Sequence, residues 1–128
     1  MTRVLVAGSF DILHTGHIFL FQEAAKRGEV MVVVARDSSI IKIKGNPPIL
    51  PEAQRLEIVQ AIKYVSLAVL GNEGEDFLAK PLSLNPDLIL LGPTQKISEN
   101  RLVEELEKRG VSHIKVERLK VIDRKSVV

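Results

Sequence analysis

The sequence predicts an α/β fold, a Rossmann-like open parallel five-stranded sheet of order 3-2-1-4-5 with helices on both faces. Three observations carry that prediction. Short apolar runs alternate with helix-period segments from one end to the other. The first two runs, Val4–Ala7 and Val30–Ala35, are apolar throughout, as strands covered on both faces are. Each run then ends in a polar or glycine-bearing turn, and such turns gather at the carboxyl edge of a parallel sheet.

The first strand, Val4–Ala7, leads into Gly8-Ser9-Phe10-Asp11-Ile12-Leu13-His14-Thr15-Gly16-His17. Ile18, Phe19, Leu20, Phe21, Ala24 and Ala25 then recur at helical spacing until Arg27 and Gly28 supply a basic last turn and a stop. The stretch is therefore a strand-to-helix turn. Its glycine lets backbone approach a ligand, Thr15 is suited to cap the helix, and His14 and His17 share one face. Backbone N–H groups at a helix N-terminus receive anions. Two imidazole donors there suit a phosphoryl group whose charge grows during reaction.

The second strand, Val30–Ala35, ends at Arg36-Asp37-Ser38-Ser39, and residues 38–50 read as a long functional loop, because Gly45-Asn46-Pro47-Pro48 cannot continue a helix. Lys42 and Lys44 on it are mobile point charges for phosphates. A helix starts at Pro51-Glu52, with Arg55 early on it and Leu56, Val59, Ile62 and Lys63 marking its course. A strand over Val65–Leu70 is followed by the turn Gly71–Gly74. A short helix over Glu75–Leu84 is expected to turn Phe77, Leu78 and Leu82 inward. The strand Leu88–Leu91 ends at Gly92-Pro93-Thr94-Gln95, and Ser98 caps a helix with Glu99 in its first turn. Leu102, Val103 and Leu106 form the expected buried stripe of that helix, which Lys108-Arg109-Gly110 ends. The last strand runs over about His113–Leu119, with His113 structural, and a tail to Val128 follows. In this order of strands the loops Gly8–His17, Arg36–Leu50 and Gly92–Ser98 converge on one crevice between the first and fourth strands.

Composition bounds the rest. A chain of 128 residues fits one domain, 1–128. No apolar run approaches the roughly 20 residues of a membrane span, and the first strand begins without a signal-peptide pattern, so a cytoplasmic protein without membrane partners is expected. The absence of cysteine excludes disulfides, thiolate metal sites and cysteine nucleophiles. The net charge of +2 is interleaved and aromatic residues are 4% of the chain, so a nucleic-acid partner is not expected. Neither GxGxxG nor GxxxxGK[ST] occurs, which disfavours a dehydrogenase or a P-loop nucleotidase.

The run Gly8-Ser9-Phe10-Asp11…His14-Thr15-Gly16-His17 resembles the GxFDxxHxGH signature of the cytidylyltransferase-like nucleotidyltransferases. Val33–Asp37, Pro51–Leu56, Leu70–Gly74 and Leu91–Gln95 extend the resemblance over nearly the whole chain, towards the archaeal FAD synthases, which are FMN adenylyltransferases. Thr94 stands where those relatives commonly have aspartate. The resemblance implies transfer of AMP from ATP to a phosphorylated acceptor, FMN above all, with release of pyrophosphate. It implies Mg²⁺ held mainly by nucleotide phosphates rather than by protein metal ligands, and a homodimer. Catalytic roles fall to His14, His17, Lys44 and Arg55, the last through a Pro-Glu-x-x-Arg-Leu pattern whose arginine addresses phosphates. Nucleotide binding falls to Gly8, Ser9, Phe10, His14, Thr15, Gly16, His17, Gly92, Thr94, Gln95 and Ser98. Asp11, Asp37 and Lys42 are expected on the acceptor side, with Asp11 equally suited to forming the turn. The alternatives are CTP-dependent transfer like that of the glycerol-3-phosphate cytidylyltransferases and a non-catalytic nucleotide-binding module. The first shares the histidine block but carries a late Arg-Thr-x-Gly-Ile-Ser-Thr-Thr motif of which only Ile97-Ser98 is present here.

Overall fold

The strands are β1 (Arg3–Gly8), β2 (Glu29–Val34), β3 (Leu67–Leu70), β4 (Leu88–Leu91) and β5 (Lys115–Arg118). The helices are α1 (Thr15–Arg27), α2 (Asp37–Lys44), α3 (Glu52–Gln60), α4 (Ala79–Ser83) and α5 (Glu99–Lys108). In this computed structural model, which describes residues 1–74 and 76–120, the strands form one parallel sheet of order β3-β2-β1-β4-β5, as predicted.

Side chains alternate across β1 and so divide the core. Val4 and Val6 join Leu20, Phe21 and Ala24 of α1, with Val59 of α3, on one face. Leu5 joins Ile89 of β4 and Leu102 and Leu106 of α5 on the other. Val32 and Val34 are fully buried, as a central strand requires.

β1 pairs with β2 along its whole length, from Arg3↔Glu29 to Gly8↔Val34, but with β4 only at Val4↔Leu88 and Leu5↔Ile89. Beyond those rungs the two strands part, which opens the crevice at the point where strand order reverses. The carboxamide of Gln95 bridges the gap. Its Nε2 donates to the Ala7 carbonyl at 3.0 Å and its Oε1 accepts the Gly92 N–H at 3.1 Å, so a side-chain amide replaces the missing rung of ladder.

Several boundaries differ from the sequence expectation. Residues 37–44, expected to lie mostly in a loop, form α2. Asp37 sits in its first turn, Lys42 and Lys44 in its last, and Gly45 closes it in the left-handed region at φ 81°. The breaker run only sets where it stops. α3 ends at Gln60, before Ile62 and Lys63, and β3 begins at Leu67 rather than Val65. The helix expected over 75–84 shrinks to Ala79–Ser83, and Phe77 is 57% exposed instead of facing inward. Val103 likewise stands outside the buried stripe of α5, which consists of Leu102 and Leu106. His113 is exposed ahead of β5, outside the core. The expected tail lies largely outside the described residues. Among those residues, no helix is long and apolar enough to cross a membrane.

Candidate active site

The turn between β1 and α1 is held by its own histidines. Thr15, expected as the cap, is the first helical residue, and His14 caps instead. Nδ1 of His14 accepts the Gly16 N–H at 3.1 Å, and Nδ1 of His17 accepts the His14 N–H at 3.3 Å. An imidazole nitrogen accepts only when it carries no proton, so both rings bear their proton on Nε2. The rings lie side by side, centroids 4.0 Å apart. Burial, and after it the neighbouring His14 ring, hold the His17 imidazole below its ordinary range, so it stays neutral. The result is a pair of adjacent Nε2–H donors at the positive end of a helix.

The glycine between the histidines has a steric reason. A Cβ on Gly16 would meet Cε1 of His14 at 2.8 Å, so the ring could not fold back over the turn. A Cβ on Gly8 would press on the Phe10 ring at 3.0 Å, so that glycine serves packing as well as ligand approach. Phe10 itself takes a left-handed φ of 51°, uncommon for an aromatic residue. Its buried ring packs on Phe21 and edge-on to His17, both at 5.4 Å, which fixes the backbone in that conformation.

Asp11 and Arg55 bind this turn to the segments around it. The two carboxylate oxygens of Asp11 accept the N–H groups of Ile49 and Leu50, each at 2.8 Å. Those bonds, Leu50 first, hold the Asp11 carboxyl below the usual carboxylate range. Arg55 is fully buried. Its guanidinium donates to the carbonyls of Leu50 at 2.9 Å, Ser9 at 2.8 Å and Ala35 at 2.6 Å, and to Oδ1 of Asp37 at 2.6 Å. The expectation that Arg55 addresses ligand phosphates is not met: it ties together the loops that carry the site. Both oxygens of Asp11 hold the Ile49–Leu50 backbone, so it shapes the turn, whereas Asp37 accepts from Arg55 at Oδ1 and remains 35% exposed.

On the opposite face of the sheet from α1 lies a cavity of about 680 Å³. Leu5, Ala7, Gly8 and Ser9 of the first strand and its turn form one wall; Val33, Phe77, Leu78, Ile89, Ile97 and Leu102 make it largely apolar, with Arg36, Ser39, Lys42, Asn72 and Gln95 as the polar members. A volume of this size accommodates a ring system. The histidines do not line it; they stand beyond Ser9, on the α1 side of the same edge. Lys42 reaches the cavity, whereas Lys44 is exposed and lines neither hollow described here. Ser98 caps α5 by accepting the Arg101 N–H and borders a second hollow of about 320 Å³ with Lys96, Arg101 and Phe77. Gly92 and the exposed Thr94 lie in the loop between β4 and that cap.

The structure thus gathers His14, Thr15, Gly16 and His17 at one spot and Gly8, Ser9, Lys42 and Gln95 in the neighbouring wall. The apolar lining escaped sequence reasoning because it is drawn from five separate parts of the chain. Among the described residues, no group of three or more His, Cys, Asp or Glu side chains is placed to hold a metal ion.

Three comparisons follow the same outline. The profile of the family described as Cytidylyltransferase-like matches residues 5–127. An FAD synthase of Methanohalophilus mahii is 49% identical over 113 residues, 86% of this chain and 76% of its own. One of Aciduliprofundum boonei is 45% identical over 121 residues, 94% of this chain and 79% of its own. Among solved structures, a protein of Thermoplasma volcanium described as a lipopolysaccharide core biosynthesis protein superposes with a TM-score of 0.88 at 41% identity, covering 96% of this chain and 99% of that one. A protein of unknown function from Archaeoglobus fulgidus, at 21% identity and a TM-score of 0.75, shares the fold over 93% of this chain and 90% of its own.

Proposed function

The chain belongs to the cytidylyltransferase-like nucleotidyltransferase family, and from that premise we propose that it transfers AMP from ATP to FMN, giving FAD and pyrophosphate. The observation that carries the reading is the juxtaposition at one sheet edge of two Nε2–H imidazoles and an apolar cavity, in a chain nearly half identical to FAD synthases.

An oxygen of the FMN phosphate attacks the α-phosphorus of ATP. A new phosphoanhydride bond forms, the bond between the α-phosphorus and the bridging oxygen breaks, and pyrophosphate leaves with that electron pair. Nothing becomes attached to the protein, so no activated nucleophile is required. Catalysis is positioning and charge stabilisation. His14 and His17 donate from Nε2 to the α-phosphate oxygens, and their Nδ1 bonds fix the rings before the charge develops. The N-termini of α1 and α5 face the phosphates. The cavity takes the flavin ring, with Ser39 and Lys42 on the side of its phosphate. Lys44 reaches phosphate only from outside the cavity. Both oxygens of Asp11 and Oδ1 of Asp37 are taken up by protein donors. A divalent ion such as Mg²⁺ would be held by phosphate oxygens and water.

Residues 1–128 act in this reading as one nucleotidyltransferase domain, cytoplasmic, without nucleic-acid or membrane partners, and as a two-fold homodimer. Light scattering tests the last point. The activity is tested by offering ATP or CTP with FMN or glycerol 3-phosphate and identifying products by mass. FAD from ATP and FMN is the expected product. A CDP-linked product would replace the reading with cytidylyl transfer, and nucleotide binding without pyrophosphate release would replace it with a sensor.

A further inference from the structure

We infer that Arg118 is a positioning residue for ATP, acting through the loop Gly92–Ile97; the inference deepens the reading above and rests on it. Arg118 ends β5 and is paired in register with Leu91, the last residue of β4, so it sits beside the point where the loop leaves the sheet. Neighbouring side chains of a strand point to opposite faces. Glu117 accordingly turns to the α1 face and meets Arg27 at 2.6 Å, while Arg118 turns towards α5.

One guanidinium there gathers most of the loop. Nη1 donates to the carbonyls of Gly92 at 2.9 Å and Gln95 at 2.7 Å, Nη2 donates to the carbonyl of Ile97, and Nε donates to Oε1 of Glu99 in the first turn of α5. Three carbonyls drawn to one cation set the course of a short loop that contains no ladder of its own. The N–H groups of Thr94, Lys96 and Ile97 are left without a partner among the described residues. Arg118 therefore sets which polar edge of the loop the crevice receives, and it sets the approach of the chain to the α5 N-terminus. Only a planar fork with several donors does this; a lysine ammonium cannot span four acceptors in that arrangement. Arg118 touches no reacting atom in this account.

The test is the KM for ATP in Arg118→Ala and Arg118→Lys, with ATP affinity measured by calorimetry in the absence of acceptor and melting followed in parallel. Simple destabilisation lowers the amount of active protein and leaves KM unchanged. Positioning raises KM and weakens calorimetric ATP binding together. Arg118→Ala is expected to raise the KM and the calorimetric Kd for ATP about tenfold each, equivalent to about 1.4 kcal/mol, with kcat at saturating ATP within about threefold of wild type. Arg118→Lys, which keeps charge and stem, gives an intermediate rise and a folded protein should the alanine variant fail to fold. Unchanged ATP affinity in the lysine variant, or a loss confined to kcat or melting temperature, overturns the inference. If wild-type protein makes no FAD, the parent reading fails on that result alone, and the calorimetric arm still decides the role of Arg118.

Discussion

Arg55 and Arg118 close the two halves of the sheet edge by the same device at different depths. Each gathers three backbone carbonyls and one carboxylate from the first residue of a helix: Asp37 of α2 for Arg55, Glu99 of α5 for Arg118. The Arg55 side chain is 0% exposed, whereas Arg118 is 22% exposed and its Glu99 partner 47%. Water can take over the acceptors of Arg118 when the side chain is lost, whereas loss of the wholly buried Arg55 side chain also empties a packed site beneath half-buried acceptors. The half that carries the histidines is therefore held by a buried guanidinium, and the half that carries the Gly92–Ile97 loop by a partly exposed one. That division suits chemistry that needs preset donors on one side and exchange of ligands on the other.

The two corners are expected to differ most at Arg55. Arg55→Ala empties a fully buried site and leaves the half-buried carbonyls of Ser9, Ala35 and Leu50 without their donor, and is expected to cost about 3 kcal/mol of stability, read as a lower urea midpoint. A variant as stable as wild type would remove the buried knot from the account. Next in size, Gly16→Ala places a Cβ against the His14 ring while leaving the Arg55 knot intact. Turnover is expected to fall about 100-fold for a misplaced donor pair, with an unfolding transition close to that of wild type; steady-state kinetics near wild type would show that the ring need not fold back.

Asp11→Asn sharpens the picture of the fixed half. The wild-type carboxyl has its pKa lowered on folding, by the N–H groups of Leu50 and Ile49. Its contribution is therefore full above the unfolded value of about 3.9 and fades as pH falls through the lower folded one. The variant should melt below wild type at pH 7, and the gap should narrow between about pH 5 and pH 3. A gap independent of pH would contradict this. The smallest effect is expected at Glu99→Gln: the pair is exposed, the three carbonyl bonds of Arg118 persist, and the melting temperature should stay within error of wild type. A large drop would mean that the two arginine corners are equally rigid.

Much of this was legible in the residues. Val4–Ala7, Val30–Ala35 and Leu88–Leu91 announce buried strands by composition alone, and the spacing of His14, Gly16 and His17 places the donors on the first turn of α1. α2 was obscured because Gly45-Asn46-Pro47-Pro48 is a stronger local signal than the single buried Ile40 of its inner face. The inward course of Arg55 was hidden for a different reason. Helix position alone does not say whether an arginine faces water or a ring of carbonyls; its partners Ser9, Ala35 and Leu50 come from three separate loops. Thr15 looked like the cap because hydroxyl residues usually are, yet an imidazole Nδ1 performs the same task once Gly16 makes room for it. The apolar slot has no local sign at all, since Val33, Phe77 and Leu102 become neighbours only when the sheet is assembled.

The donor pair stands apart from the cavity, so loss of one imidazole should slow transfer without loosening flavin. FMN binding followed by flavin fluorescence, together with FAD formation followed by mass, in wild type and His17→Ala measures both at once. Retained FMN affinity with FAD formation slowed at least about 100-fold is the predicted result. FAD made at the wild-type rate without the His17 imidazole would contradict it.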